Sequence, residues 1–176
     1  MGQVVDGTPT LEPLHLRHCL SRFATGVSVV SYRGEGVTRG VTVSSFTSVS
    51  LDPPLVLVSV ARSASAAGHL GRVPFTVNVL DATQLDLALH FAGRRRAPSG
   101  VGWQSTGDHL APTLDGALAS YRCEAWQSYD GGDHRLHLGR VVKVAVRADG
   151  EPLLFDRGRF WGGPGVELDS EAVSAA

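Results

Sequence analysis

Residues 41–56 read VTVSSFTSVSLDPPLV, a run in which apolar and hydroxyl-bearing residues alternate before a pair of prolines. Alternation with a period of two is typical of a strand, and it predicts one over residues 37–45 with the valines on one face. Asp52-Pro53-Pro54 predicts a stop, because proline cannot donate a ladder hydrogen bond. Residues 55–60 are nearly all apolar and predict a strand buried on both faces.

The hydroxyl groups of residues 42–48 (TVSSFTS) allow two interpretations of this segment. Side-chain hydroxyls and strand backbone groups both donate and accept hydrogen bonds, so the segment could bind a planar polar heterocycle. Alternatively, it is an edge strand that passes into a Ser/Thr-rich loop without a ligand. The residues alone leave both interpretations open.

Short strands separated by glycine- or proline-containing turns extend outward from this run. Runs rich in β-branched residues predict further strands at residues 27–33, 75–80, 118–127, 135–146 and 153–155. A first helix is predicted from apolar spacing, a cap, a first-turn proline and a terminating glycine: Leu16, Leu20, Phe23, Thr10, Pro13 and Gly26. Asp81 to Gln84 has the capping-box pattern in front of a second helix that ends near Phe91. Many strands and few helices predict a mainly β fold, a closed antiparallel barrel.

The composition is that of one globular domain. The chain has 176 residues, is 43% hydrophobic and 19% charged, and carries a net charge of −1, which indicates neither a nucleic-acid nor a membrane partner. We expect flexible tails at residues 1–10 and 162–176 around a domain at 11–161. Residues 1–13 lack the basic and apolar segments of a secretory signal, and the two cysteines are far apart, so a reduced, cytoplasmic protein is expected.

Several common motifs are absent from the sequence. It contains no G-x-G-x-x-G, P-loop, H-E-x-x-H, C-x-x-C or G-x-S-x-G pattern. His134 and His137 fall three apart in a predicted strand, which places them on opposite faces, and they should not bind one metal together. No metal site is predicted.

Three short segments remain as candidate sites. Residues 62–65 (RSAS) follow a buried strand and open a short helical segment, which suits a phosphate; the alternative is that Ser63 caps the helix and Arg62 is solvated. Residues 131–134 (GGDH) form a tight turn before His134, which is either a packed or a functional histidine. Residues 94–96 (RRR) are either a solvated surface or a means of attracting an anionic ligand.

Taken in order, these segments resemble the flavin reductase family, which consists of small FMN-binding split-barrel proteins. The resemblance covers roughly residues 14–161 and rests on the 41–56 run together with residues 23–27 (FATGV), 75–80 (FTVNVL), 91–92 (FA), 132–134 (GDH) and 139–141 (GRV). It implies an NAD(P)H:flavin oxidoreductase that supplies reduced flavin to a partner monooxygenase. The hydride donor would be NADH or NADPH, and a homodimer would bind FMN or FAD near its interface.

The resemblance also implies roles for particular residues. His134 would place the nicotinamide coenzyme, Thr42 to Ser45 would line the flavin, and the turn at Arg62 would hold its phosphate. The residues expected to contact the flavin are Thr25, Val41, Thr42, Val43, Ser44, Ser45, Ser59, Ala61, Arg62, Ser63, Ser65, Phe91, Arg96, Arg159 and Phe160.

One segment departs from the family pattern. Members often carry Asp-Arg-Phe after the basic loop, where this chain has Ala97-Pro98-Ser99, so either a loop contact to flavin or NAD(P)H is lost or Arg95 or Arg96 substitutes for it. The departure favours an alternative, a split-barrel flavoprotein that retains its flavin and acts as an oxidase or oxygenase on a metabolite. A non-catalytic module that binds flavin or haem is a third hypothesis.

Overall fold

The computed structural model describes residues 12–96, 100–105, 107–163 and 166–168. In chain order, the elements are α1 (Pro13–Leu20), β1 (Thr25–Gly26), β2 (Ser28–Gly34), β3 (Val37–Val43), β4 (Thr47–Leu51), β5 (Pro54–Ala61), β6 (Phe75–Val79), α2 (Leu85–Phe91), β7 (Trp103–Gln104), β8 (Thr113–Leu114), β9 (Ala119–Gly131), β10 (His134–Val146), β11 (Leu153–Asp156), β12 (Arg159–Gly162) and β13 (Val166–Leu168). Two 3₁₀ turns are also present: Ser65–Gly68 lies between β5 and β6, and Ala82–Gln84 directly precedes α2.

A seven-stranded antiparallel sheet in the order β3-β2-β6-β9-β10-β5-β4 forms the barrel wall, as a mainly β split-barrel fold requires. The edge strand β3 approaches β5 from the other end of the sheet without forming a ladder with it. The hydroxyl of Ser45, just beyond β3, donates to the carbonyl of Ser59 (2.8 Å) and accepts from the N–H of Ser59 (2.9 Å). A four-stranded sheet, β1-β11-β12-β13, is called the small sheet below. A separate β7-β8 pair completes the strands of the described residues.

The core lies on both faces of β2. Val30 and Tyr32 pack into the barrel interior with residues of β5 and β6, whereas Val29 packs outside the barrel against Leu85 and Leu89. Because successive strand side chains point to opposite faces, α2 must cover the outer face for every apolar residue of β2 to be buried. The capping box predicted at Asp81 is present and starts the segment that leads into α2. This packing fixes α2 against β3, where the site lies.

The first helix differs from its prediction. It ends at Leu20 rather than at Gly26, its N-cap is Glu12, and none of its residues is buried. Thr10 lies outside the described residues. Phe23 is 77% exposed, and residues 25–26 belong to β1, which pairs with β11. The helical spacing of the leucines therefore did not mark a face packed against this chain's own core.

The strand predictions hold for β2, β3, β6, β9, β10 and β11, with boundaries shifted by a few residues. Residues 47–51 form the edge strand β4, paired with β5, so the prolines separate two strands of one hairpin. Leu57 and Ser59 are only half-buried, so the prediction that both faces of β5 are buried was wrong.

Near the C-terminus, β12 continues to Gly162 and pairs with β13, so two strands reach into residues 162–176, the expected tail. The expected tail at residues 1–10 lies outside the described residues.

The two cysteines should differ sharply in reactivity. Cys123 is fully buried in the barrel core, and burial raises its pKa to about 12, whereas Cys19 is exposed on α1. Since the thiolate is the reactive form, we expect one equivalent of a thiol reagent to react with the folded protein at pH 8, and a second only after unfolding. The Cys19→Ser variant should show no rapid reaction; two fast equivalents in the native protein would contradict the burial of Cys123.

Candidate functional site

A cavity of about 510 Å³ opens where β3, α2 and the small sheet meet. Its walls come from five separate parts of the chain: Val27; residues 40–44; residues 64–66; residues 91–94; and Phe155 with Phe160. The lining combines aromatic rings and aliphatic side chains with the hydroxyl groups of Thr42, in β3, and Ser44, just beyond it. Such a cavity suits a flat, largely apolar ligand with polar edges.

The hydroxyl-bearing wall combines structural and free groups. The Thr42 hydroxyl donates to the carbonyl of Ala88 (2.7 Å) and so ties β3 to α2. The Ser45 hydroxyl both donates a hydrogen bond to the backbone of Ser59 and accepts one from it. Ser44 is exposed at the cavity and makes no side-chain hydrogen bond within the part of the chain described. Its hydroxyl is the one that remains fully available to a ligand.

Phe91 lies directly over the backbone of Gly40. A Cβ built on Gly40 would lie 2.6 Å from Cδ1 and 2.7 Å from Cε1 of the Phe91 ring. Across the cavity, the rings of Phe155 and Phe160 pack with their centroids 5.0 Å apart. The absence of a side chain at Gly40 therefore lets the Phe91 ring lie flat and keeps the space between the aromatic walls open.

A buried hydroxyl beside the cavity also lacks a partner. Thr25 pairs with Phe155 in the small sheet, and directly opposite residues share a face. Its Oγ1 is buried without a hydrogen bond to any described residue. Thr25 lines neither cavity, so the structure does not bring this hydroxyl into the ligand space. The donors and rings of this cavity match the shape and chemistry of an isoalloxazine.

The residues of the predicted phosphate turn, 62–65, do not all face the main cavity. Ser65 lies at the cavity, where its hydroxyl is 3.1 Å from the hydroxyl of Tyr32. Ser63 lies outside the cavity lining and does not cap the 3₁₀ turn, whose N-cap is Ala64. The side chain of Arg62 extends away to Asp130 and lines a separate cavity. Of the expected turn residues, only Ser65 faces the ligand space.

The cation at the main cavity is Arg94 rather than Arg95 or Arg96. Arg95 pairs with Asp86 at 3.2 Å, which directs its guanidinium back onto α2. Arg96 is exposed and does not contribute to the lining. Neither Arg95 nor Arg96 therefore lines this cavity, and residues 97–99 lie outside the described part of the chain. The three consecutive arginines indicated that a cation could lie near the site. The backbone turn after α2 decides which of the three faces the cavity.

A second cavity, of about 250 Å³, adjoins the first and contains His134. The two share Val41–Ser44 and Ala64, and the second adds Ser45, Ser59, Val60 and Ala61. His134 pairs with Ala61 across β10 and β5, and its Nδ1 lies 2.6 Å from a carboxylate oxygen of Asp133. Hydrogen bonding to His134, together with its charge, lowers the pKa of Asp133. His134 and the hydroxyl run are thus brought onto one wall.

His137 points the other way, as the strand period predicted. It is 1% exposed, and its Nδ1 lies 2.8 Å from the Ser128 hydroxyl. Burial, with a smaller contribution from the charge of Arg135, lowers its pKa. Within the described ranges no cluster of three or more His, Cys, Asp or Glu side chains could hold a metal ion. No helix among those residues is long and apolar enough to cross a membrane.

At the closing strands, Phe160 lines the main cavity, whereas Arg159 is exposed and does not. Sequence reasoning missed one aromatic wall residue, the cationic residue and several small or aliphatic positions: Phe155, Arg94, Val27, Gly40, Ala64, Ala66, Ala92 and Gly93. The position of Phe155 could have been predicted, since it precedes a tight turn that folds it onto Phe160. The positions of the small residues could not, because they contribute open space rather than a side chain with recognisable chemistry.

Comparison with known proteins agrees with this geometry. A family model described as a flavin reductase like domain matches residues 20–163. An NADH-dependent flavin reductase from a Rhodococcus species is 40% identical over 158 residues, covering 86% of this chain and 87% of the relative. The reductase component of 4-hydroxyphenylacetate 3-monooxygenase from Thermus thermophilus is 39% identical, covering 81% of this chain and 91% of the relative.

Among solved structures, the Streptomyces globisporus NADH:FAD oxidoreductase SgcE6 in complex with NAD and FAD fragments is similar, with a TM-score of 0.78 and 36% identity. The match covers 91% of this chain and 100% of that one. The shared domain therefore includes both cavities and every strand that positions them, and the chain belongs to the flavin reductase family.

Proposed function

We propose that this protein transfers a hydride from NADH or NADPH to FMN or FAD and supplies the reduced flavin to a partner monooxygenase. The observation that carries the proposal is the wall shared by the two cavities. Val41–Ser44 and Ala64 border both the aromatic cavity and the smaller one that holds His134. Two flat ligands held against these shared residues could stack face to face at near-contact distance, as hydride transfer requires.

When bound, the flavin and the nicotinamide supply the redox chemistry themselves. The residues of this chain bind, orient and exclude water. Phe91, Phe155 and Phe160 cover the apolar faces of the cavity, and the free hydroxyl of Ser44 is available to a polar ring edge. Ser65 and Arg94 lie at the same cavity and supply a hydroxyl and a positive charge for the phosphate.

We propose a cytoplasmic homodimer as the working form. An exposed apolar strip at the end of β10 supports the dimer: Val142, Val144 and Val146 are 40%, 67% and 82% exposed, and Val144 and Val146 share the face of their partners Tyr121 and Ala119. Leu51, at the end of β4, is 94% exposed. Exposed apolar strips of this kind mark interaction surfaces. Sedimentation equilibrium should give twice the mass of the chain; a monomer at micromolar concentration would contradict the dimer.

The activity is tested by following NADH and NADPH oxidation with excess free FMN, FAD or riboflavin. Many turnovers per protein chain with free flavin support the reductase. Tightly bound flavin that is not exchanged, without turnover, would overturn the proposal in favour of a flavoprotein that retains its cofactor. Adding the protein to a flavin-dependent monooxygenase and measuring substrate hydroxylation tests delivery of the reduced flavin.

We expect His134→Ala to raise the KM for NADH about tenfold and to change kcat by less than about threefold. His134 lines the smaller cavity but nothing in hydride transfer requires it to move a proton, so it positions the coenzyme. The matched control is His109→Ala. His109 is exposed, its Nε2 lies 3.5 Å from a carboxylate oxygen of Glu124, and it lines neither cavity. Collapse of kcat at unchanged KM would show that His134 has a chemical role instead.

A further inference from the structure

Arg62 makes a set of contacts that its expected role as a phosphate ligand does not explain. It is the first residue after β5, and its N–H donates to the carbonyl of Asp133 at 2.9 Å. Its side-chain Nε donates to the carbonyl of Gly132 at 2.6 Å, and its Nη2 donates to a carboxylate oxygen of Asp130 at 2.6 Å. One residue therefore holds three positions of the turn between β9 and β10.

Asp130 completes this cluster from within the turn. Its second carboxylate oxygen accepts the N–H of Gly132 at 2.9 Å. That backbone hydrogen bond, followed by the hydrogen bond from Arg62, lowers the pKa of Asp130. The carboxylate is thus held between the turn backbone and the guanidinium. Gly132 has a φ of +72°, which a two-residue turn with glycine at its first central position requires.

Apart from the Arg62 contacts, this end of the hairpin is held by the pairing of β10 with β9 and β5. Residues 126–133 are all exposed, so apolar packing does not fix them. Segments with few buried contacts open locally at low cost. His134 follows the turn immediately and is the hairpin residue that faces the smaller cavity. Any looseness of the turn would therefore displace the imidazole from the cavity wall.

We propose that Arg62 is a positioning residue: together with Asp130 it clamps the β9–β10 turn and so sets the place of His134 at the coenzyme cavity. This inference rests on the proposed function, since it is the nicotinamide that His134 would position. It replaces the assignment of Arg62 to the flavin phosphate. The guanidinium already satisfies a carboxylate and a carbonyl, and it borders a separate cavity of about 250 Å³ with Ala67, Gly68 and Arg135.

The test compares Arg62→Ala, Asp130→Ala and the double variant with the wild type. Each single variant should raise the KM for NADH about five- to tenfold with little change in kcat, and the double variant should be no worse than either, because both remove one clamp. Binding of FMN and of riboflavin, followed by fluorescence quenching, should be unchanged. Arg140→Ala is the control, since it breaks a 2.6 Å pair with Glu124 across the same two strands but away from both cavities.

A second readout does not depend on turnover. Amide hydrogen exchange at residues 131–134 should accelerate in Arg62→Ala and Asp130→Ala but not in Arg140→Ala. Weakened FMN binding with unchanged riboflavin binding in Arg62→Ala would overturn the clamp and restore the phosphate role. Unchanged exchange at the turn would also overturn it. If the wild type itself oxidised neither NADH nor NADPH, the proposed function would fail, whereas the exchange data would still decide the clamp.

Discussion

Gly40→Ala is expected to weaken flavin binding roughly ten- to hundredfold. The added Cβ would lie 2.6–2.7 Å from the Phe91 ring, closer than carbon atoms can approach, so the ring must move. His90 and Trp103 pack on Phe91 at centroid distances of 4.7 Å and 5.7 Å, which leaves the cavity as the open direction. Overpacking of this kind costs about 1–3 kcal/mol, or about five- to 160-fold in a dissociation constant, a span that includes the expected loss. The measurement is a fluorescence titration with FMN.

The double variant Gly40→Ala/Phe91→Ala separates steric blocking from loss of fold. In the Phe91→Ala background, Gly40→Ala should lower FMN affinity much less than it does in the wild type, which a general destabilisation would not allow. Gly26→Ala is the matched control, because a Cβ at Gly26 would meet nothing within 4 Å. Neither glycine has a positive φ, so backbone strain does not confuse the comparison. Unchanged FMN affinity in Gly40→Ala would show that Phe91 does not border the bound flavin.

Arg94→Ala should weaken FMN binding about ten- to hundredfold and leave riboflavin binding unchanged. Arg94 lies at the main cavity, and hydrogen bonds to charged groups contribute about 1.5–3 kcal/mol. Riboflavin has no phosphate, so the two ligands isolate the charged contact from the stacking of the ring. The difference should also shrink as salt is added, because exposed charges are screened.

Arg96→Ala serves as the control for Arg94→Ala. Arg96 has the same charge and lies two residues away, but it is exposed and outside the cavity lining. It should change the affinity for FMN less than about twofold, as expected for a solvated charge. An equal loss in both variants would mean that the loop attracts phosphate by its overall charge and that no single arginine is the ligand.

The sequence was most informative where a local pattern and a local structure coincide. The β-branched run at residues 27–33 predicted β2, and the alternation at residues 37–45 predicted β3. Asp81 predicted the start of the segment before α2, since capping depends on neighbours in sequence. The prediction for α1 was wrong in length and burial, because helical spacing cannot show whether another surface covers the apolar residues. The edge strand β4 was obscured by its serines and threonines, which suit a loop equally well.

The candidate site divides in the same way. By itself, the sequence determined the family, the barrel and the hydroxyl-rich wall, because a contiguous run of residues encodes each of the motifs on which they rest. Only the tertiary structure decided which arginine serves which purpose: Arg94 faces the cavity, Arg95 pairs with Asp86, and Arg62 holds a turn 68 residues away through Asp130. It also showed why position 40 lacks a side chain. Such roles depend on contacts between residues distant in sequence, and a charge or a glycine carries no local signal of the partner it will meet.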